Sequence, residues 1–183
     1  MTDDQRDQVV RALWPQGEKS RLSVWAILDC ARDPKIYLAL LASRLEFRCL
    51  YSGTLASALE MVAPQLVELS PANRLTRLWL DEGWGQSWGV FLKIQDASNL
   101  RHHLRKFLKV QVENDRRLVF RYYDPRVLRV YLPTCTADEW QQFLGPIAAF
   151  FMEHDDDSLL GFARAGQQLK QERVALPGIH LPG

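Results

Sequence analysis

The stretch that most constrains this 183-residue chain is Leu118-Val-Phe-Arg-Tyr-Tyr-Asp-Pro-Arg-Val-Leu-Arg-Val-Tyr-Leu132. Its first half, Leu118 to Tyr123, is β-branched and aromatic, which predicts a buried core strand. Asp124-Pro125 then changes the period. Asp is a preferred N-cap, and Pro suits the first helical position, where a missing N–H costs nothing. Beyond it, Val127, Leu128, Tyr131 and Leu132 fall on one face of a helix. The prediction is a core strand that enters a helix through a stiff corner, with Arg121, Asp124, Arg126 and Arg129 at or beside it.

The remaining segments fit around that corner. Asp3 or Asp4 can cap a first helix carrying Val9, Val10 and Leu13, which ends by Pro15. Leu22 to Leu28 is a short apolar run suited to a central strand ending at Asp29. Asp33-Pro34 repeats the cap-plus-proline signal and opens a helix through about Arg44. Phe47–Tyr51 and Leu66–Leu69 are predicted strands, with a helix from Thr54 to Ala63 between them. Ser70-Pro71 starts another helix, Trp88 to Ile94 returns to strand, and Ser98 caps a helix facing the core with Leu100, Leu104, Phe107 and Leu108. Val110 to Tyr123 is predicted as a hairpin turning at Asn114-Asp115. Thr136-Ala-Asp-Glu139 is a capping box, and Ile147 to Met152 is apolar throughout, as a last strand would be. Beyond Leu160 the pattern weakens, and Leu176 to Gly183 is predicted to be a loose tail.

Strands that alternate with helices argue for an α/β fold, a mixed β-sheet flanked by helices. A smaller, mainly helical region is expected after about Tyr131. In this division residues 1–146 form the α/β domain, and 147–183 are a C-terminal extension of the same domain.

The wording Phe120-Arg-Tyr-Tyr-Asp-Pro-Arg-Val-Leu128 resembles the signature of the type VI secretion adaptor/chaperone domain, the Tap/Tec family. Four other stretches agree with that family in order: Val24-Trp-Ala-Ile-Leu-Asp29, Leu50-Tyr-Ser-Gly53, Ala63-Pro-Gln-Leu-Val-Glu-Leu69 and His103-Leu-Arg-Lys-Phe-Leu108. The resemblance covers roughly Leu22 to Pro146. It implies a non-catalytic protein that binds a type VI effector encoded nearby and helps load it onto the VgrG spike, without a cofactor. Within it, Asp29, Phe120, Arg121, Asp124, Pro125 and Arg126 carry the structural motif.

Chemistry-bearing patterns are few. His102 and His103 are adjacent on a predicted helix and point about 100° apart, so they cannot chelate as an i, i+4 pair. Glu153-His-Asp-Asp-Asp157 lacks the alternation and turn glycine of a calcium loop and fits a solvated connection. No metal is expected. Cys30, Cys49 and Cys135 are widely spaced without a Cys-x-x-Cys pair, which points to small core residues rather than zinc or disulfides. Gly83 to Gly89 contains Gly-x-Gly but no phosphate-loop ending, so it is a turn. Its Trp84 and Trp88 either close over the sheet edge or meet a partner. Asp29 and Asp124 could converge as paired carboxylates of a small enzyme with Arg121 or Arg126. The alternative is that both cap or bridge backbone N–H groups and that Asp124 pairs with an arginine such as Arg121 or Arg126.

Charge is close to balanced, at net +1, but unevenly spread. Residues 100–132 carry nine Arg/Lys against three Asp/Glu, a local +6. Arg101, Arg105 and Lys109 share an i, i+4, i+8 face. That face is a solvated surface, a dock for an acidic protein, or a phosphate track in a nucleic-acid-binding module. Interleaved aromatics are missing, so no nucleic-acid partner is expected. In any of these cases Arg101, Arg105 and Lys109 should be free at the surface. The opening Met-Thr-Asp-Asp-Gln-Arg has no apolar h-region and no run approaches the ~20 residues needed to span a bilayer, so a cytoplasmic protein with no membrane partner is the expectation.

Overall fold

The computed structural model describes residues 1–15, 22–51, 53, 56–111, 117–155 and 157–178. Helix α1 (Asp3–Leu13) is capped by Thr2 rather than by Asp3 or Asp4: Thr2 and Gln5 exchange the two bonds of a capping box. The two acids occupy the first turn, where they favour the positive end of the helix dipole. Strand β1 (Ser23–Asp29) leads to α2 (Pro34–Ser43), capped by Asp33 as predicted. Next come β2 (Phe47–Cys49), the short α3 (Ser57–Glu60) and β3 (Pro64–Leu69). Residues 54 and 55, where the third helix was predicted to start, lie outside the described residues. Helix α4 (Arg74–Leu78) continues into a π-helical turn, Trp79–Gly83, before β4 (Gly89–Ile94).

The second half contains α5 (Leu100–Arg105), β5 (Lys109–Gln111), β6 (Arg117–Val119), α6 (Pro125–Tyr131) and α7 (Ala137–Leu144). It closes with β7 (Ile147–Glu153), β8 (Leu159–Ala165) and β9 (Gln168–Val174). Seven strands form one sheet in the order β2-β3-β1-β4-β7-β8-β9, and β5 pairs with β6 separately. Helices cover both faces. On one, α1, α2 and the π-helical turn after α4 pack Val9, Ile36, Leu40 and Trp79 against Val24, Ala26, Leu28 and Phe151. On the other, α5, α6 and α7 pack Leu104, Leu128 and Phe143 against Ile27, Leu92, Phe150 and Met152. Alternate residues of β1 and β7 thus enter opposite cores, which is why both strands are apolar in almost every position.

Helix and sheet share the chain as predicted, but three features differ. First, every described ladder is antiparallel, not mixed. A connection that returns the chain to the end it left gives an antiparallel neighbour, and the alternation of elements cannot distinguish this. Second, the region after Tyr131 is not mainly helical: a 3₁₀ turn and α7 are followed by three strands, with β7 inserted beside β4. β9 is the outer strand, so its side chains remain largely solvated and its sequence carries little apolar signal. Third, the predicted core strand Leu118–Tyr123 stops at Val119. Tyr122 and Tyr123 are both buried in the same cluster, whereas consecutive strand residues would point to opposite faces. The backbone therefore bends, fixed by the Phe120 N–H bond to the Leu108 carbonyl and by the Tyr122 hydroxyl donating to the Leu104 carbonyl at 2.8 Å. The Asn114-Asp115 turn lies outside the described residues.

The tail is also tied down further than predicted. Leu176 is buried, and Gln8 and Gln5 of α1 donate to the carbonyls of Ala175 and Pro177. Residues 179–183 lie outside the described residues. No helix among the described residues is long and apolar enough to cross a membrane.

Candidate functional site

Three carboxylates are buried among the described residues: Asp29, Asp124 and Glu153. They meet at one end of the sheet. Asp29 is the last residue of β1, and its N–H donates to the Trp88 carbonyl just before β4. Glu153 is the last residue of β7. Asp124 is the N-cap of α6, the helix lying over that end.

Asp124 performs as the Asp-Pro pattern predicts. Its Oδ1 accepts the Arg126 backbone N–H at 3.0 Å, and Pro125 occupies the first helical position. The same carboxylate also binds the Arg126 side chain twice, Nε at 2.9 Å and Nη2 at 2.6 Å. Burial alone would raise its pKa. The Arg126 bonds outweigh burial and hold it below the ordinary carboxylate range. Asp29 differs. Arg121 Nη2 binds its Oδ2, while Oδ1 makes no hydrogen bond among the described residues. Burial pushes the Asp29 carboxyl above its ordinary value despite the pull of Arg121 and of the Ala31 amide. The two aspartates are close enough for Asp124 to raise Asp29 further. They converge, but each is matched to its own arginine. Phe120 packs edge-on against Tyr131 at 4.7 Å and so pins the corner to α6.

Glu153 escaped the sequence reading, which assigned residues 153–157 to a solvated connection. It turns inward instead. Its Oε2 accepts the Gly85 N–H and its Oε1 the Ser87 N–H, both at 2.7 Å. Burial raises its pKa, opposed by those two amides. The loop it clasps has two left-handed residues, Gly85 at φ 79° and Ser87 at φ 56°. Gly83 and Gly89 frame the loop for a different reason: a Cβ on Gly83 would lie 2.4 Å from Trp88 Cδ2, and one on Gly89 only 2.1 Å from the Ile27 carbonyl oxygen. An available signal was the run Ile147–Met152 ending on an acid, together with three glycines inside seven residues. The rest of the acidic run divides: Asp155 pairs with Arg129, and Asp156 lies outside the described residues.

The residues predicted for partner contact separate. Trp88 is buried beneath Gly83 and cannot meet a partner, whereas Trp84 is half-buried and donates Nε1–H to the Asp157 carbonyl at 3.3 Å. Arg101 is not free at the surface. Its Nε donates to the Cys49 carbonyl at 2.8 Å and its Nη2 to the Tyr51 carbonyl at 3.2 Å, bracing the chain that leaves β2. Arg105 is half-buried, and the side chain of Lys109 lies outside the described residues. The predicted basic track is thus a structural brace at its first position.

The histidines and cysteines are spread widely. His103 Nε2–H donates to the Phe143 carbonyl at 2.8 Å, and burial holds its pKa below the ordinary value. His180 lies outside the described residues. Burial pushes the Cys30 thiol up to about 12, consistent with its place in the core. No group of three or more His, Cys, Asp and Glu among the described residues has the geometry to hold a metal ion. Two surface depressions, of about 340 and 230 Å³, are lined by residues other than Asp29, Arg121, Asp124 and Arg126.

Residues 24–142 of the chain match a family model described as a domain of unknown function, DUF4123. That span begins in β1 and ends in α7, so it includes Asp29, Arg121, Asp124 and Arg126 but stops short of Glu153. Among curated proteins and among solved structures, nothing matches the chain.

Proposed function

We propose a function from one premise: this chain belongs to the DUF4123 family. On our reading it is a non-catalytic adaptor/chaperone of the bacterial cytoplasm that binds a type VI secretion effector and helps load it onto the VgrG spike. The observation that carries this is the ordered series of five motifs between residues 22 and 146, which resembles the type VI adaptor domain and coincides with the family match over residues 24–142. The corner supports the reading from the side of chemistry. Asp29 and Asp124 are engaged by Arg121 and Arg126, and Glu153 by two amides, which suits a braced recognition surface better than a general acid–base pair.

The mechanism is recognition without covalent chemistry. The adaptor covers a mobile or aggregation-prone part of its cargo and releases it at the spike, through an interface on the order of 1,000 Å² or more. The test is co-expression with the effector and spike proteins encoded beside it, followed by size-exclusion chromatography. Raised effector solubility and co-elution are expected. Separate elution, with effector solubility unchanged, overturns the proposal.

A further inference from the structure

The ion pairs of the corner are strongly polarised, with the acid buried and the arginine open to solvent. In the Arg121–Asp29 and Arg126–Asp124 pairs the acids are 1% and 4% exposed, while the arginine side chains are 43% and 46% exposed. Elsewhere the direction varies: Arg129 is 16% exposed against 73% for Asp155, whereas Arg77 is 72% exposed against 33% for Asp81, and no acid of those pairs is buried as Asp29 and Asp124 are. At the corner, then, the negative charge lies inside and the positive donors open to solvent.

The donors are also incompletely used. Arg126 spends Nε and Nη2 on Asp124, and Arg121 spends Nη2 on Asp29. Nη1 of Arg126, and both Nε and Nη1 of Arg121, bind no other described residue. Each guanidinium is already held in one orientation by a buried carboxylate, so a partner has little side-chain freedom left to freeze. Arg32 adds a third cation at the same end, its Nε bonded to the Gln86 carbonyl within the loop that Glu153 clasps. Val130, one turn along α6 from Arg126, is 64% exposed, and half-buried Trp84 adjoins Gly85 of the clasped loop. Arginine and tryptophan beside an apolar side chain is the composition of an interface anchor rather than of a solvated rim.

We propose that Arg121 and Arg126, aimed outward by Asp29 and Asp124, form a docking surface for a protein segment bearing paired carboxylates next to an apolar side chain. The inference rests on the adaptor reading only for the partner's identity; the surface and its chemistry follow from the corner. Charge complementarity selects the occupant. The outward guanidinium groups are donors, the exposed Asp157 carboxylate lying instead beside Gly85, and the fork of a guanidinium matches a carboxylate. Because three buried acids offset Arg32, Arg121 and Arg126, recognition depends on directed hydrogen bonds more than on a long-range field. This is an arrangement in which Lys does not replace Arg.

The direct test is an NMR titration of the wild-type chain with a synthetic peptide of alternating Glu and Leu. The side-chain Nε–Hε signals of Arg121 and Arg126 should shift together and saturate, while that of Arg101, committed to the Cys49 carbonyl, stays still. A peptide of alternating Lys and Leu should move none of them. Unmoved corner signals overturn the proposal, as do equal shifts with a single-stranded oligonucleotide at ~150 mM salt, which would mark a phosphate site. The second arm is the double variant Arg121→Lys, Arg126→Lys, which keeps a positive charge over each buried aspartate. Its complex with the co-eluting effector or spike protein should be about tenfold weaker or more. If the variant binds that cargo as the wild type does, this inference falls and the adaptor reading stands. If the peptide engages both arginines but the wild type captures no cargo, the adaptor reading falls and the docking surface stands.

Discussion

Replacing Glu153 tests how the corner is held. In Glu153→Ala the Ser87 N–H, buried and bonded to Oε1 at 2.7 Å, loses its acceptor. An orphaned buried donor costs about 1–3 kcal/mol. The Gly85 N–H is exposed enough to turn to water and adds little. One buried methylene, Cγ, is also lost, about 0.8 kcal/mol. Removing a desolvated charge returns part of this, since burial already raises the Glu153 pKa. The balance is a loss of about 2 kcal/mol, or a fall of about 6 °C in melting temperature for a chain of this length. Glu153→Gln retains the methylenes and one acceptor and should lose only about 1 kcal/mol. Urea denaturation measures both, through a lower midpoint at constant slope. Amide exchange localises the effect: Ser87 should exchange much faster in the Ala variant. An unchanged midpoint in Glu153→Ala, or unchanged Ser87 exchange, would refute the assignment of Glu153 as the clasp of this loop.

Three other outcomes are expected. Asp124→Ala removes the cap of α6, about 1 kcal/mol, and the half-exposed pair with Arg126, at most about 1 more, whereas Asp124→Asn should keep most of the cap; calorimetry ranking the two variants equally would contradict this division. Arg101→Glu should destabilise the protein by about 1–2 kcal/mol instead of leaving folding intact, because both carbonyl bonds at Cys49 and Tyr51 disappear; a wild-type urea midpoint would return Arg101 to a solvated role. Burial raises Asp29 and Glu153, so the folded chain holds more protons than the unfolded one just above the ordinary carboxylate pKa of about 4. Their contribution to stability therefore falls as pH rises through that window, while that of Asp124, held low, is lost as pH falls below it. Stability measured against pH should lose part of its slope above pH ~4 in Glu153→Gln, and an unchanged slope would remove Glu153 from this account.

Local signals in the sequence determined a good part of this protein. Asp33-Pro34, Asp124-Pro125 and Thr136 to Glu139 start helices where their side chains satisfy the first free N–H groups, because capping needs only neighbours within three residues. The apolar runs of β1 and β7 announced strands buried on both faces. That Asp124 pairs with a neighbouring arginine was also legible, although the sequence left Arg121 and Arg126 as equal candidates and the structure selects Arg126. What the tertiary structure alone decided involves groups far apart in the chain. Arg121 reaches Asp29 across 92 positions, Arg101 reaches Cys49 across 52, and Glu153 reaches Gly85 across 68. No periodicity encodes such distances. The bend at Phe120 has the same origin. The β-branched and aromatic composition of Leu118–Tyr123 favours strand, but burying Tyr122 and Tyr123 in one cluster outweighs that preference, which is worth about 1 kcal/mol or less. Propensity and capping are set by adjacent residues. The direction of a buried charge, and which side of its ion pair meets solvent, is set by the packing of the whole sheet end.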